Sequence, residues 1–309
     1  GFTSPYGGPH AAVNAINAVQ EKELLPSATL YVTLEPCCHH GKTPPCVDLI
    51  VEHKIPRVII GILDPHVKVA GKGAKRLKNA GCEVTMGILE KECREHHRRF
   101  ITYHEEQRPY VILKWAECMN GFIAPVKDKR SIDAKPYWIS NTYSRQLVHK
   151  WRSEEHAILV GTKTVLDDNP KLNVRKWFGK SPIRILIDKD LKIQKRCHIL
   201  DSSVKTIVLT QVKDKSRWLS AIEYVVIDFS NNLPKEICNA LFKYNITSVI
   251  IEGGAKTLQS FIDSDIWDEA RVISGQDSLS DGLKAPSFSG SLQRSSKIGK
   301  DTLKVFRND

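Results

Sequence analysis

The stretch ATLYVTLEPCCHHGKTPPC, residues 28–46, decides how the first half of the chain is read. Its opening seven residues, Ala28–Leu34, are apolar and β-prone, with the length and composition of a buried strand. Glu35-Pro36-Cys37 ends that strand in a turn. A loop rich in His, Gly and Pro follows, and Pro45–Glu52 then looks helical. Upstream, AAVNAINAV (Ala11–Val19) repeats small and apolar residues at three and four and predicts a helix. Downstream, Arg57–Leu63 reads as a strand and Ala74–Ala80 as a helix closed by Gly81. Cys82–Gly87 reads as a further strand, and Ile88–Glu105 as one highly charged helix. Strands alternating with helices predict an α/β layer structure around a mostly parallel sheet.

The charge run ends at Glu105–Pro109 (EEQRP), where a fresh strand, Tyr110–Trp115, begins. A boundary there divides the chain into domains 1–107 and 108–309. The second half repeats the alternation: helix Ser144–Ser153, then strands Ala157–Gly161, Ile183–Asp188 and Thr206–Thr210. Helix Pro234–Tyr244, strand Ser248–Glu252 and helix Ala255–Asp263 follow. At 309 residues, 41% hydrophobic and 26% charged, each half can bury its own core, and a disordered, collagenous or disulfide-stapled chain is excluded. Apolar runs such as Val58–Leu63 are strand-sized, so no membrane span is expected. With no signal peptide in view, the expected compartment is the cytoplasm.

Lys and Arg number 46 against 35 Asp and Glu, a net charge of +11. The basic residues are scattered, and the tightest clusters, His96–Arg99 and Lys127–Arg130, are short. Aromatic residues do not alternate with them as a base-stacking platform requires, so phosphate-bearing metabolites fit better than nucleic acid. Eight cysteines without an export signal argue for thiols or metal ligands. Cys82, Cys93, Cys118, Cys197 and Cys238 are dispersed and read as small buried hydrophobes. Cys37, Cys38 and Cys46 fall within ten residues and need another account.

His10 opens the first helix, and Cys37 and Cys46 bracket the loop PCCHHGKTPPC. One imidazole and two thiolates supply the three protein ligands of a catalytic zinc, leaving a fourth position for a water that loses its proton near neutral pH. Helix N-termini favour such anionic ligands. Zinc base deaminases share this plan, a His-x-Glu helix start with a Pro-Cys loop and a second Cys. Cys38, His39 and His40 remain rival ligands, and a structural zinc remains open. Lys42 and Thr43, beside the loop, suit a substrate phosphate as well as they suit a solvated surface.

PHAAVNAI followed by LYVTLEPCCHHGKTPPC closely resembles the deaminase half of the RibD family, the bifunctional deaminase–reductases of riboflavin biosynthesis. The second half resembles the reductase of that family, so the resemblance covers essentially the whole chain. It implies two three-layer α/β domains, cytidine-deaminase-like followed by dihydrofolate-reductase-like, with Zn2+ and NADPH as cofactors. The implied substrate is a phosphorylated diaminopyrimidine, with no nucleic-acid or membrane partner and a homodimer as the expected assembly. Two departures stand out. The family has His-Ala-Glu at the helix start, its Glu moving protons between the zinc water and the leaving ammonia. Ala12 occupies that catalytic position here and is read as an inactivating substitution, since such a group contributes about 10²–10⁴-fold. Glu21, Glu23 and Glu35 have no evident reason to replace it. The family's opening β-hairpin, with its substrate-binding Asn, is also absent between Pro5 and Tyr6, where we expect an intervening stretch to belong. Asp64-Pro65-His66 through Gly73 resembles the family's ligand loop, and equally a plain strand-to-helix turn.

In the second half, VILKWAECMNGFIAP resembles the family strand that aims Lys114 at the reacting sugar and sets Ala116 against the cofactor. Asn120 replaces the usual Asp there. WISNTYSRQLVHKWRS resembles the next signature and places Trp138 and Ser140 against the cofactor and Arg152 near the substrate; packing is the alternative for Trp138. AILVGTKTVLDDNPKLNVR assigns Thr164 and Asp168 to the nicotinamide nucleotide, and Leu172 and Arg175 to the substrate. The forked guanidinium of Arg175 suits a phosphate, although a loop Arg can simply be solvated. SVIIEGGAKTLQSF puts Gly253 and Gly254 at a helix start, where free N–H groups and the helix dipole face an anion. By resemblance that turn holds the NADPH phosphates, while Glu252 contacts the substrate. The spacing is not that of a Rossmann fingerprint. Three other readings stay open. They are a reductase carrying an inert zinc-binding scaffold, a nucleic-acid base deaminase, and a non-catalytic binding protein.

Overall fold

The computed structural model describes residues 1–5, 7–66, 69–126 and 136–308; the basic cluster at residues 127–130 and residue 6 lie outside them. The chain folds as two compact units, Gly1–Glu106 and Gln107–Asp309.

In the first unit, α1 (Ala11–Ala18), β1 (Thr29–Leu34), α2 (Cys46–Glu52), β2 (Arg57–Ile62), α3 (Lys72–Asn79) and β3 (Glu83–Met86) alternate. The strands form a parallel sheet in the order β1-β2-β3. Val58 and Ile60 of β2 pack against Ile16 of α1, Val47 and Ile50 of α2, and Ala74 and Leu77 of α3. Each of these Val, Leu and Ile side chains contributes about 1.5–3 kcal/mol by leaving water. The stretch expected as one helix, Ile88–Glu105, is two: α4 (Glu90–His96) and α5 (Arg98–Glu105), broken at His97. Cys93 and Ile101 both join Ile62 in one small cluster. Eight residues apart on a continuous helix, they would point about 80° apart. The break resolves that conflict, and the His97 ring is tethered to Thr33 Oγ1 on β1 at 2.8 Å. Gly61 is the counterpart on β2, because a Cβ there would collide with the Cys93 thiol. Ahead of α1, the Gly8 N–H donates to the Pro5 carbonyl at 2.9 Å and the Ser4 N–H to the Pro9 carbonyl at 3.0 Å. Among the described residues no hairpin precedes β1, and Tyr31 on that strand is 73% exposed.

The second unit begins with β4 (Tyr110–Glu117), β5 (Phe122–Pro125), α6 (Thr142–Glu154), β6 (Ala157–Gly161) and α7 (Thr162–Asp168). It continues with β7 (Ile183–Ile187), β8 (Thr206–Thr210), β9 (Glu223–Val226), α8 (Leu233–Lys243), β10 (Ser248–Ile251) and α9 (Ala255–Asp263). Strands β11 (Glu269–Ser274), β12 (Gly282–Lys284), β13 (Ser291–Ile298) and β14 (Asp301–Arg307) close it. Nine strands form one sheet in the order β13-β14-β11-β4-β10-β6-β7-β8-β9. The run from β11 to β9 is parallel, β14 and β13 are added antiparallel, and β12 pairs separately with β5.

Alternate residues of the central strands feed opposite cores. Val111, Leu113, Ile185 and Leu209 enter one, while Ile158, Leu186 and Val208 enter the other. With helices over both faces, this is a three-layer α/β unit. Of the dispersed cysteines, Cys93, Cys118 and Cys238 are buried as expected, whereas Cys82 and Cys197 are only half-buried. Arg184 of β7 is fully buried, its guanidinium donating to Thr206 Oγ1 (2.9 Å), Asp201 Oδ1 (2.9 Å) and the carbonyls of His198 and Lys171. It thereby ties the loop after α7 to the segment before β8. No helix among the described residues is long and apolar enough to cross a membrane.

Candidate functional site

His10, Cys37 and Cys46 meet where α1 begins, β1 ends and α2 begins. His10 is the N-cap of α1 and Cys46 the first residue of α2. His10 Nδ1 lies 3.3 Å from Cys46 Sγ and 3.4 Å from Cys37 Sγ, with the two sulfurs 3.5 Å apart. Zn–S bonds of about 2.3 Å and Zn–N bonds of about 2.0–2.1 Å at tetrahedral angles put donors about 3.6–3.8 Å apart. This set therefore fits one zinc ion with a few tenths of an ångström of adjustment. Among the described residues it is the group of at least three His, Cys, Asp or Glu donors close enough to share an ion. Cys38 instead packs at the edge of the apolar core, the His39 ring stacks on His66 at 6.2 Å, and His40 is exposed. Hydrogen bonding with the Cys46 thiol and from the Cys46 backbone N–H, together with His10, outweighs burial and holds the Cys37 thiol down to about 5.

Ala12 is buried on the first turn of α1, two residues beyond His10. Among the described residues, the carboxylates near this set are Glu35 and Asp64. Asp64 is buried, its Oδ1 accepts from the His66 N–H at 2.8 Å, and burial, with smaller contributions from the charges of Glu35 and Cys37, pushes its carboxyl up. Glu35 is 3% exposed, and both its oxygens are engaged. Oε2 accepts from the N–H groups of Asp64 (3.2 Å) and Gly71 (2.9 Å), and Oε1 from that of Ala74 (2.9 Å). It shapes the loop from Asp64 and caps α3. Glu21 and Glu23 are exposed at the far end of α1, about 12 Å of helix away. Arg76 of α3 donates to the Cys38 carbonyl at 3.3 Å and pairs with Asp48 of α2, bracing the metal loop. Lys42 is exposed and Thr43 half-buried in that loop.

The second unit holds a cavity of about 700 Å3 at the C-terminal ends of β4, β6 and β10. Lys114, Ala116, Trp138, Ser140, Arg152, Thr164, Asp168, Leu172, Arg175, Glu252 and Gly254 all line it. Gly253 does not. Its backbone packs on β6, where a Cβ would stand 2.5 Å from Val160 Cα, so it brings the turn close to the sheet and Gly254 faces the cavity. Trp138 is 54% exposed, which sets aside core packing. The Arg145 guanidinium lies 4.8 Å over its ring and donates to the Ser140 carbonyl at 2.7 Å.

Charge concentrates at one end of this cavity. Arg152 grips Glu252 with two hydrogen bonds, Nε to Oε1 at 3.0 Å and Nη2 to Oε2 at 2.7 Å. Lys114 Nζ stands 3.7 Å from Glu252 Oε2. Burial opposes ionisation of Glu252, but Arg152 and Lys114 prevail and hold its carboxyl down to about 2. Burial pushes the Lys114 ammonium down against the pull of Glu252. Arg175 reaches the same wall, its Nη1 donating to Asn173 Oδ1 at 3.1 Å. Arg76, Arg145 and His149, which accepts from the Arg175 N–H at 3.3 Å, were not singled out by the sequence reading, and Glu35 was weighed there only as a proton carrier. Of these, only His149 carried a usable signal, one helical turn before Arg152.

Residues 109–276 match the RibD C-terminal domain model, and residues 3–62 match the cytidine and deoxycytidylate deaminase zinc-binding region. The riboflavin biosynthesis protein RibD of Aquifex aeolicus is 36% identical over 313 residues, covering 100% of this chain and 86% of that protein. The Bacillus amyloliquefaciens protein of the same name is 37% identical, covering 85% of this chain and 71% of its own. Among solved structures, the diaminohydroxyphosphoribosylaminopyrimidine deaminase/5-amino-6-(5-phosphoribosylamino)uracil reductase of Thermotoga maritima superposes with a TM-score of 0.86 at 34% identity, covering 97% of this chain and 85% of that one. Acinetobacter baumannii RibD gives 0.85 at 28% identity, covering 98% and 86%. The two units thus have the cytidine-deaminase-like and dihydrofolate-reductase-like folds, and the chain belongs to the RibD family of bifunctional riboflavin-biosynthesis deaminase/reductases.

Proposed function

We propose that this chain carries out the reductase step on a phosphorylated ribosylaminopyrimidine, and that its first unit binds zinc without sustaining deamination. Zinc, when bound by His10, Cys37 and Cys46, supplies a Lewis acid that makes a water acidic near neutral pH. Hydrolytic loss of the exocyclic amine as ammonia then needs a group to carry protons to the departing nitrogen. The methyl group of Ala12 cannot do this, and Glu35 is held by three backbone N–H groups. Lys42 and Thr43, in the loop that carries Cys37 and Cys46, are the residues we assign to a substrate phosphate.

The convergence of Lys114, Arg152, Arg175 and Glu252 on one cavity carries the reductase reading. NADPH, when bound, supplies a hydride for C1′ of the sugar. Cleavage of the bond between C1′ and the ring oxygen leaves that oxygen in need of a proton. Lys114, which lines the cavity and is made more acidic by burial, is the group we assign to supply it. Glu252 and Arg152 fix the Lys114 ammonium and the sugar hydroxyls, and Arg175 takes the phosphate. Trp138, Ser140, Ala116, Thr164, Asp168 and Gly254 hold the nucleotide. The eight free thiols and the nicotinamide chemistry suit the reducing cytoplasm, and a homodimer is the assembly we favour.

Mass spectrometry of the diaminopyrimidine substrate with zinc and without NADPH tests the first part. Persistence of the amine in zinc-loaded protein supports it, and conversion to the carbonyl overturns it. NADPH oxidation with the deaminated compound tests the second. An alternative, that the first unit is purely a zinc-stabilised scaffold, is favoured by Ala12 itself and predicts that no substrate binds there.

A further inference from the structure

His149 lies on α6 three residues before Arg152, so both side chains project from one face of the helix. It is 4% exposed, yet it is not part of the apolar cores. Its Nδ1 accepts a hydrogen bond from the Arg175 N–H at 3.3 Å. Arg152, held by Glu252, reaches the Asn173 carbonyl with Nη1 at 3.5 Å. The three-residue turn that presents Arg175 is therefore pinned from beneath by two side chains of one helix. An acceptor at Nδ1 requires a neutral imidazole, because an imidazolium has no lone pair to offer. Burial and the guanidinium groups of Arg152 and Arg175 favour that neutral form, against the pull of Glu252.

We infer that His149 is a positioning residue for substrate recognition. Its neutral ring fixes the Asn173–Arg175 turn so that the Arg175 guanidinium meets the anionic group of the substrate in an already ordered geometry. This rests on the reductase reading above. An unmoored loop must be ordered at the moment of binding, so the loss falls on substrate affinity and spares the hydride step.

The test is steady-state reduction by the full chain of the deaminated substrate and of the same compound lacking its phosphate. His149→Leu removes the acceptor, whereas His149→Asn keeps one near the place of Nδ1. The leucine variant is expected to raise KM for the phosphorylated substrate about tenfold, the scale of one lost hydrogen bond. Its kcat and its KM for NADPH should stay within about twofold. The asparagine variant should return KM toward the wild-type value, and the leucine effect should vanish with the phosphate-free compound. A folded leucine variant with unchanged KM overturns the assignment, as does an equal loss with both substrates. If the leucine variant does not fold, a raised KM in folded His149→Asn overturns it and a wild-type KM supports it. A wild-type chain that reduces neither compound overturns the reductase reading instead.

Discussion

Arg152 and Glu252 stand a hundred residues apart in sequence and meet in a two-pronged ion pair, both side chains about nine-tenths buried. The pair joins α6 to the end of β10 and fixes the charge against which Lys114 works. Removing Arg152 leaves the buried Glu252 carboxylate with only the longer contact to Lys114, at 3.7 Å. Arg152→Met should therefore lower the stability of the second unit by about 3–5 kcal/mol, read by urea unfolding, and abolish measurable reduction. Adding Glu252→Gln should recover most of the stability and none of the activity. Additive losses in the double variant would show that the pair is not coupled.

Residue 12 governs the other reaction. Ala12→Glu places a carboxylate on the first turn of α1, near the three metal donors. Deamination, followed by ammonia release, should rise by about 10²–10⁴-fold over the parent chain. No gain in a zinc-loaded variant would mean the site lacks more than its proton carrier.

The metal set has a separate readout. Cys46→Ala removes the buried thiol at the start of α2, and metal analysis should show bound zinc falling from about one per chain to background. The first unit should melt earlier, while NADPH titration of the second stays unchanged. Retained stoichiometric zinc would bring Cys38, His39 or His40 back as ligands.

Acid should loosen the second unit in two stages. The folded-state pKa of His149 lies near 4, below the ordinary 6.5, so below pH 6.5 the unfolded chain takes up the proton first. Stability is lost between about pH 6.5 and 4. The carboxyl of Glu252 is lowered from 4.5 to about 2, so its contribution is complete above pH 4.5 and disappears as pH falls toward 2. Thermal melts across this range should show the first decline flattened in His149→Asn. An unaltered profile would assign that decline to other groups.

What the sequence disclosed follows from burial. Strands enclosed on both faces, such as Ala157–Gly161 and Thr206–Thr210, read as continuous apolar runs. β13 was not legible, because its residues Ser291–Ser295 are all exposed and, apart from Leu292, polar. The His10, Cys37 and Cys46 set stood out through residue types that rarely cluster without a reason. Glu35 did not, since its role consists of bonds from backbone N–H groups distant in sequence, that from Gly71 spanning 36 residues, and Arg145 did not, since its contact with the Trp138 ring forms only in the folded loop. The helix break at His97 coincides with packing of Cys93 and Ile101 on Ile62 and with a hydrogen bond to Thr33 of β1, long-range contacts that no local pattern encodes.

The position of β4 bears on the order in which the chain can acquire structure. It is the first strand of its sheet to leave the ribosome, and it lies between β10 and β11. Those neighbours begin only at Ser248 and Glu269. The strand must wait for well over a hundred further residues before either edge is paired, and closing so long a loop slows folding. The first unit has no such delay, because β1, β2 and β3 pair in the order of synthesis. It can mature during translation while Tyr110–Glu117 remains an exposed apolar segment, which makes the nascent second unit the part most dependent on chaperones.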